Sequence, residues 1–197
     1  HIDECHRMLS ISDLVICSSE YIASRAREYH PNVIYIPDSI NRTHFNLTKD
    51  INYFSKRQIN AIWSGVKPKH IELKQILPIL NKHKIKLKLI SDRVIQWRET
   101  TFPWIRYTKL HNMKWSYSTF PQNIVKGEIC VAPRKLDNPY NMGHSFFKIG
   151  VFLAQGIPAL ASPVPSYKEI LQNNINGRIC ENIDDWRTSI EEISDNQ

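Results

Sequence analysis

The stretch that most constrains the fold covers residues 145–162 and reads SFFKIGVFLAQGIPALAS. Its first half is apolar on nearly every side, and a helix with so little polar surface must pack inside a larger structure. Gly156 is suited to end that helix as a C′ residue, and Pro158 prevents its continuation. The Ala-Leu-Ala run that follows predicts a short buried strand. The chain is therefore expected to bury a helix directly before a strand.

Lys148 is the cation nearest to the start of this helix. At the first turn, where Ser145 can cap the helix, a lysine adds its charge to unpaired backbone N–H groups. This combination suits a phosphate. A lysine whose ammonium group simply extends past the apolar helix into solvent explains the same residues equally well. Both interpretations stay open from the residues alone.

The rest of the chain alternates short apolar runs with helical spacing. The apolar runs predict strands at residues 14–17, 33–36, 60–63, 85–89, 104–108, 128–133, 159–161 and 178–180. Helical spacing predicts a helix of about ten residues after Ser19 and others at 70–82, 94–99, 145–155, 167–173 and from 184 onward. Such alternation predicts an α/β fold, with a Rossmann-like, mostly parallel sheet and helices on both faces. Ligands bind such a sheet beyond the carboxyl ends of its strands, which here selects the loops 64–69, 107–111, 134–144 and 162–166.

The sequence is polar and has no periodic apolar pattern between Asn41 and Lys56, which predicts a linker. We therefore expect the end of a preceding domain with its crossover at residues 1–40, a linker at 41–57 and a Rossmann-like domain at 58–197. Because His1 is not an initiator methionine, a fragment whose beginning is missing is expected. No apolar run approaches the ~20 residues of a membrane span. The cysteines form neither a CxxC pair nor a disulfide framework, which favours a cytoplasmic location.

The net charge of +7 is concentrated in the middle of the chain. Residues 56–114 hold 14 lysines and arginines against 3 acidic residues, while each flank is slightly acidic. A basic block of this kind indicates an anionic partner, which could be nucleotide phosphates, a membrane surface or nucleic acid. A solvated basic face accounts for most of these lysines as well.

Two of the selected loops hold residues suited to anions. Ser64 and Gly65, with Lys67 and Lys69, follow a predicted strand and precede a predicted helix. A glycine there lets backbone N–H groups approach an anion, although junctions of this type are common. The sequence has neither G-x-G-x-x-G nor a Walker A motif.

The loop at residues 134–144 is richer in polar groups. It could hydrogen-bond a polyol while Arg134 and Lys135 bind a phosphate, although a surface turn rich in Asp and Asn explains most of it. The eight histidines show no ligand spacing, so we expect no metal ion and no cofactor. A G-x-S-x-G elbow is also absent, and a hydrolase triad has no support.

The run from Lys148 to Ser162, Lys-x7-Gly-x-Pro-x3-Ser, resembles the donor-binding, C-terminal half of B-fold glycosyltransferases of the retaining family 4 or group 1 type. Further resembling pieces follow in the family's order at residues 12–19, 33–45, 61–65, 128–133 and 167–177. Many relatives carry two glutamates eight positions apart, the second contacting the ribose. Gly143 and Val151 occupy those places here. A subset of relatives instead has a lysine at the place of Lys148.

The resemblance implies transfer of a sugar from a nucleoside-diphosphate sugar, bound by this piece, to an acceptor glycan or lipid-linked glycan bound elsewhere. It implies that Lys148 faces the diphosphate, with Lys67 and Lys69 as matching cations. The expected diphosphate-binding residues are Ser64, Gly65, Lys67, Lys69, Arg134, Lys135 and Lys148. The expected sugar- or nucleoside-binding residues are Tyr107, Asp137, Asn138, Asn141, Gly143, His144 and Ser145. No catalytic residue is assigned.

Two other function classes remain open. A non-catalytic binding or scaffold module that lost the acid pair is one, and a basic nucleic-acid-binding domain is the other. The second lacks a recognisable helix-turn-helix and a stacking platform of aromatic side chains. Contact of the lysine-rich face with the inner face of a membrane would accompany the transferase function rather than compete with it.

Overall fold

The structure of the protein is a computed structural model, and it describes residues 2–48, 59–95 and 110–195. Eight strands lie in these ranges: β1 (Val15–Cys17), β2 (Val33–Tyr35), β3 (Asn60–Ser64), β4 (Lys86–Ser91), β5 (Leu110–Lys114), β6 (Ile129–Ala132), β7 (Ala159–Ala161) and β8 (Gly177–Ile179). Strands β1 and β2 pair in parallel as a separate small sheet, and the other six form the central sheet.

The same ranges hold eight α-helices: α1 (Ile2–Ser10), α2 (Glu20–Ala26), α3 (Leu77–Lys82), α4 (Phe120–Ile124), α5 (Pro139–Met142), α6 (Phe147–Leu153), α7 (Pro165–Ile170) and α8 (Ile183–Asp195). Two 3-10 helices cover Lys67–Gln75 and Tyr117–Thr119. Over the described ranges, none of the helices has the length and hydrophobicity needed to cross a bilayer.

The central sheet is entirely parallel, in the order β5-β4-β3-β6-β7-β8. The chain runs outward from β3 to β5, returns to pair β6 with β3, and then runs outward in the other direction. The order therefore reverses between β3 and β6. In an open parallel sheet, this reversal opens a crevice at the carboxyl ends of the two strands. The predicted Rossmann-like fold class is confirmed.

Apolar side chains cover both faces of the sheet. One core cluster contains Trp63, Leu87 and Trp186, and it packs β3 and β4 against α3 and α8. The other cluster contains Ile62 and Phe152, and it packs the opposite face against α6. Neighbouring residues of β3 alternate between the two clusters, as the pleat of a strand requires. A sheet buried on both faces explains the near-continuous apolar runs in the sequence.

The predicted buried helix is confirmed as α6, whose residues 149–152 are all buried. Gly156 has a φ of 73°, and the N–H of Ile157 donates to the carbonyl of Phe152 at 3.0 Å. This pair is the Schellman ending of a helix. The helix begins after Phe146 rather than at Ser145, and Ser145 Oγ accepts only a 3.4 Å hydrogen bond from the Phe147 N–H.

Two sequence predictions need correction. The predicted helix at 70–82 is a 3-10 helix followed by α3, because Pro78 at the first turn of α3 has no N–H to continue the ladder. The sequence predicts that the loop 107–111 follows a strand and lies at the carboxyl edge of the sheet. In the structure, Leu110 and His111 are instead the first residues of β5, and Leu110 pairs with Leu87 near the start of β4. These two residues therefore lie at the amino edge of the sheet. The sequence LHNMK of this edge strand alternates too weakly to show its period.

The other predicted helices and strands, and the domain boundaries, differ in how they compare with the structure. The strand predicted at 104–108 and most of the helix predicted at 94–99 lie outside the described residues. Helix α1 was not predicted, and α7 begins two residues earlier than predicted, with Pro165 as its first residue. The domain boundaries at 40, 57 and 58 stay predictions. Within the segment expected to be a linker, Phe45 is buried in the cluster that contains α6.

The N-terminal part packs on the central domain through α2 and its neighbours. Ser19 caps α2 and donates its hydroxyl to the carbonyl of Gly143 at 2.9 Å. The hydroxyl of Tyr35 donates to Glu169 at 2.6 Å. These contacts hold β1, β2 and α2 against the loop before α6 and against α7.

Gly177 at the start of β8 provides a test of the strand packing. Its φ is 157°, and a Cβ there would lie 2.1 Å from the carbonyl oxygen of Ala159. We expect Gly177→Ala to lower the free energy of unfolding by about 2 kcal/mol or more in denaturant titrations. As a comparison, Gly156→Ala should cost about 1 kcal/mol through its positive φ. Equal losses in the two variants would contradict the close approach of β7 and β8.

Candidate functional site

The crevice lies where β3 and β6 end beside each other. Trp63 in β3 is fully buried, and its ring leaves no room for a side chain on Gly65, because a Cβ there would lie 2.8 Å from the ring. The N–H of Gly65 donates to the carbonyl of Ile90 at 3.0 Å, which fixes the start of the loop after β3. Ser64 is buried as the last residue of β3. An indole ring therefore lies below the crevice on this side.

Lys148, at the first turn of α6, extends towards that ring. Its Nζ lies 5.1 Å from the centre of the Trp63 ring, within reach of a cation–π contact. Among the residues that the structure describes, no carboxylate or other hydrogen-bond acceptor pairs with it. Burial, and then the positive charge of Arg134, lower the pKa of Lys148 to about 7. An ammonium without an anionic partner in such a position favours the binding of an anion.

Arg134, two residues after the end of β6, is buried rather than open to the crevice. Its Nη1 donates to Oε2 of Glu72 at 3.1 Å, and the two side chains are only 6% and 4% exposed. Its backbone N–H donates to the hydroxyl of Ser162 at 2.8 Å. The buried side chain of Tyr167 also lies near it, and burial raises the pKa of that phenol to about 12. Arg134 thus already has a counter-ion.

Sequence reasoning missed Glu72, which joins three segments. Its Oε1 accepts a 3.2 Å hydrogen bond from Nδ2 of Asn141 in α5, and Oδ1 of Asn141 accepts a 3.0 Å bond from Nζ of Lys69. One signal could have revealed it. Glu72 stands four and eight residues before the buried Ile76 and Leu80, so helical spacing puts an acid on the buried face.

His144 adds a neutral donor or acceptor to this group. Burial, followed by the charges of Arg134, Lys69 and Lys148, lowers its pKa to about 4. The imidazole is therefore uncharged at neutral pH. Its Nε2 is buried and has no hydrogen-bond partner among the described residues. A neutral imidazole can bind an oxygen without adding to the charge of the site.

The structure thus brings together five of the residues predicted for the site: Lys69, Arg134, Asn141, His144 and Lys148. It leaves others at the surface. The side chains of Lys67 and Lys135 are exposed; the N–H of Lys67 donates to Asp92 at 2.7 Å, and Lys135 lies 3.6 Å from Asp137.

The remaining predicted residues have structural contacts or lie elsewhere. Asn138 caps α5 and donates to Asp137 at 2.8 Å. Gly143 accepts the hydrogen bond from Ser19, and Ser145 is partly buried before α6. Tyr107 lies outside the described residues. In the described ranges, histidine, cysteine and acidic side chains form no group of three or more that could hold a metal ion.

The sequence matches no protein-family model and no curated protein. Solved structures do share the fold. The chain overlays TarM with a TM-score of 0.68 at 10% identity, covering 99% of this chain and 39% of that one. It overlays Anabaena HepE, solved in complex with UDP, with a TM-score of 0.69 at 10% identity, covering 96% and 56%. A glycosyltransferase from Rickettsia africae gives a TM-score of 0.64 at 12% identity, covering 91% and 52%.

At such low identity these comparisons show the fold alone, which is the Rossmann-like fold of B-fold glycosyltransferases. The chain spans between 39% and 56% of the length of these three proteins.

Because Lys148 has no anionic partner among the described residues, its effect on stability can be tested. Its pKa is lower in the folded chain than in the unfolded one, so the unfolded state binds the extra proton between about pH 7 and pH 10. The charge of Lys148 therefore destabilises the folded state by its full amount below pH 7, and this destabilisation disappears as the pH rises towards 10. We expect Lys148→Met to raise Tm by about 2–4 °C at pH 6 and by less at pH 9. A lower Tm at pH 6 would contradict the absence of a partner.

Proposed function

We propose that the crevice between β3 and β6 binds the diphosphate of a nucleoside-diphosphate sugar, and that the chain is the donor-binding half of a glycosyltransferase. One observation carries the proposal. The ammonium group of Lys148 lies in the crevice region, over the buried ring of Trp63, without an anionic partner among the described residues. A diphosphate would supply the missing charge.

The charges around the crevice suit an anion. Lys69, Arg134 and Lys148 lie near one another, and Glu72 is the carboxylate that faces Arg134. When Lys148 is protonated, this group has a net positive charge. Because the leaving diphosphate gains charge as the bond to the sugar breaks, a fixed ammonium stabilises the transition state more than the bound donor. Retention of configuration rests on the sequence resemblance only.

The comparisons support the choice of ligand class. The HepE neighbour was solved with UDP, and the Rickettsia africae neighbour is a glycosyltransferase. Since the chain covers about half or less of these proteins, we propose that another half binds the acceptor, a glycan or lipid-linked glycan. A cytoplasmic location, with contact at the inner face of a membrane through the basic block, belongs to the same proposal.

A non-catalytic binding module is the second candidate, and the observations at Gly143 and Val151 favour it. Val151 is 1% exposed within the core, and Gly143 has no side chain, so neither position supplies the carboxylates that many resembling enzymes have. Glu72, the buried carboxylate nearby, already accepts hydrogen bonds from Arg134 and Asn141. Donor hydrolysis by the longest natural form of the protein would separate an enzyme from a module that only binds.

The direct test is titration of UDP, GDP and ADP, and of their sugars, against the wild-type chain and Lys148→Ala. We expect one nucleotide to bind, with its Kd raised about 10- to 100-fold by the substitution, because a charged contact in a partly desolvated place is lost. Affinity should also fall as the pH rises above 7, since the lysine then loses its proton. Isothermal titration at pH 6 and pH 9 measures both effects.

Lys82→Ala is the matched control, because it removes an exposed lysine at the end of α3, near the amino end of β4 and thus at the opposite edge of the sheet. Its Kd should stay near that of the wild type. If no nucleotide binds below about 1 mM while DNA or RNA binds with a steep dependence on salt, the chain is a nucleic-acid-binding domain instead.

A further inference from the structure

Glu72 is an acid inside a group of cations, where it would repel an anionic ligand. We propose that Glu72 is a positioning residue, which holds Arg134 directly and Lys69 by way of Asn141, so that Lys148 is left as the cation that meets the ligand. This inference rests on the proposed function and concerns the same crevice.

The two carboxylate oxygens of Glu72 face two different segments. Oε2 accepts from Nη1 of Arg134 after β6, and Oε1 accepts from Nδ2 of Asn141 in α5. Glu72 itself lies on the 3-10 helix that follows β3. The carboxylate therefore ties the segments after β3 and β6 together across the place where the strand order reverses. Its side chain is only 4% exposed, so water competes little for these bonds.

The orientation of the Asn141 amide carries this effect to Lys69. Its Nδ2 donates to Glu72 and, at 2.6 Å, to the carbonyl of Lys135. Only Oδ1 is then left to face Nζ of Lys69, at 3.0 Å. The same ammonium group lies 4.4 Å from the centre of the Tyr140 ring. Because Nδ2 of Asn141 is held by two acceptors, its Oδ1 points in a fixed direction. This direction determines where the ammonium group of Lys69 lies.

Glu72 also acts on the charge balance of the crevice. Without it, the cations Arg134, Lys69 and Lys148 would repel one another in a poorly solvated place. Burial and Arg134 lower the pKa of Lys148, whereas Cys130 and Glu72 act in the opposite direction. The carboxylate thus helps to keep Lys148 protonated for an anion while it neutralises Arg134.

Glu72→Gln separates positioning from simple repulsion, because the two effects have opposite signs. The amide has one oxygen and cannot accept from Arg134 and Asn141 as the carboxylate does. If Glu72 positions the cations, the Kd for UDP should rise about tenfold. If it is only an unfavourable charge, removing it should lower the Kd. Glu28→Gln, which makes the same charge change at an exposed residue near Arg25, should leave the Kd unchanged.

A second variant tests whether the effect passes through Asn141. Asn141→Ala keeps the pair of Glu72 and Arg134 but removes the contact to Lys69. Under the proposal, the double variant of Glu72→Gln and Asn141→Ala should have a Kd for UDP close to the higher of the two single-variant values. If the losses of binding free energy in the two single variants add up in the double variant, the route through Asn141 is overturned. Circular dichroism and Tm identify any variant that fails to fold.

A readout without ligand keeps the two proposals distinguishable. Trace acetylation of the lysines with acetic anhydride, followed by mass spectrometry, reports how tightly each ammonium group is held. Lys69 should react several-fold faster in Glu72→Gln and in Asn141→Ala than in the wild type, and Glu28→Gln should show no change. Unchanged labelling of Lys69 would overturn the positioning role. If the wild type binds no nucleotide, the proposed function fails, and labelling alone then decides the role of Glu72.

Discussion

The buried ion pair between Glu72 and Arg134 is the interaction on which the candidate site depends. It spans the point where the strand order of the sheet reverses, and it satisfies one of the cations that gather there. A buried pair of this kind contributes little net stability, but removing one partner leaves an expensive unpaired charge. Arg134 is neutralised in this way, whereas Lys148 finds neither a counter-ion nor a hydrogen bond among the described residues.

Parallel topology explains why residues far apart in the sequence meet at this place. Glu72 follows β3, Arg134 follows β6 and Lys148 precedes β7, so each lies on a segment at the same edge of the sheet. The buried helix α6 fixes Lys148, because four consecutive apolar or small residues seat that helix against β6 and β7. The position of the charge is thus a consequence of packing, since no hydrogen bond from the residues that the structure describes holds the ammonium group.

The sequence predicted the parts of the fold that have a strong periodic signal. It predicted α6 and the strands around it. Of the residues that it selected for the site, the structure brings Lys148, Lys69, Asn141 and His144 near one another, and their role in binding stays a prediction. Glu72 was missed although its spacing from Ile76 and Leu80 puts it on the buried face, because its partners Arg134 and Asn141 lie more than 60 residues away in the sequence. The phosphate contact expected of Arg134 stays a prediction, and the structure adds that Glu72 already pairs with it. Strand β5 was not predicted, because an edge strand with mixed polarity has no clear alternation. The Glu72–Arg134 pair could not be predicted, since pairing between distant segments leaves no local pattern in the sequence.

Lys148 also illustrates why a binding site of this type must cost stability. An apolar side chain at its position would suit the first turn of a buried helix better than a partly desolvated ammonium group. The same unfavourable environment lowers its pKa to about 7, so near neutral pH a fraction of the free chains has an uncharged amine there. Under the proposed function, a bound anion would stabilise the protonated form, and by linkage its binding would draw a proton from solvent. The proposal therefore ties ligand affinity, proton uptake and the loss of stability to one feature, which is that the described residues supply Lys148 with no counter-ion.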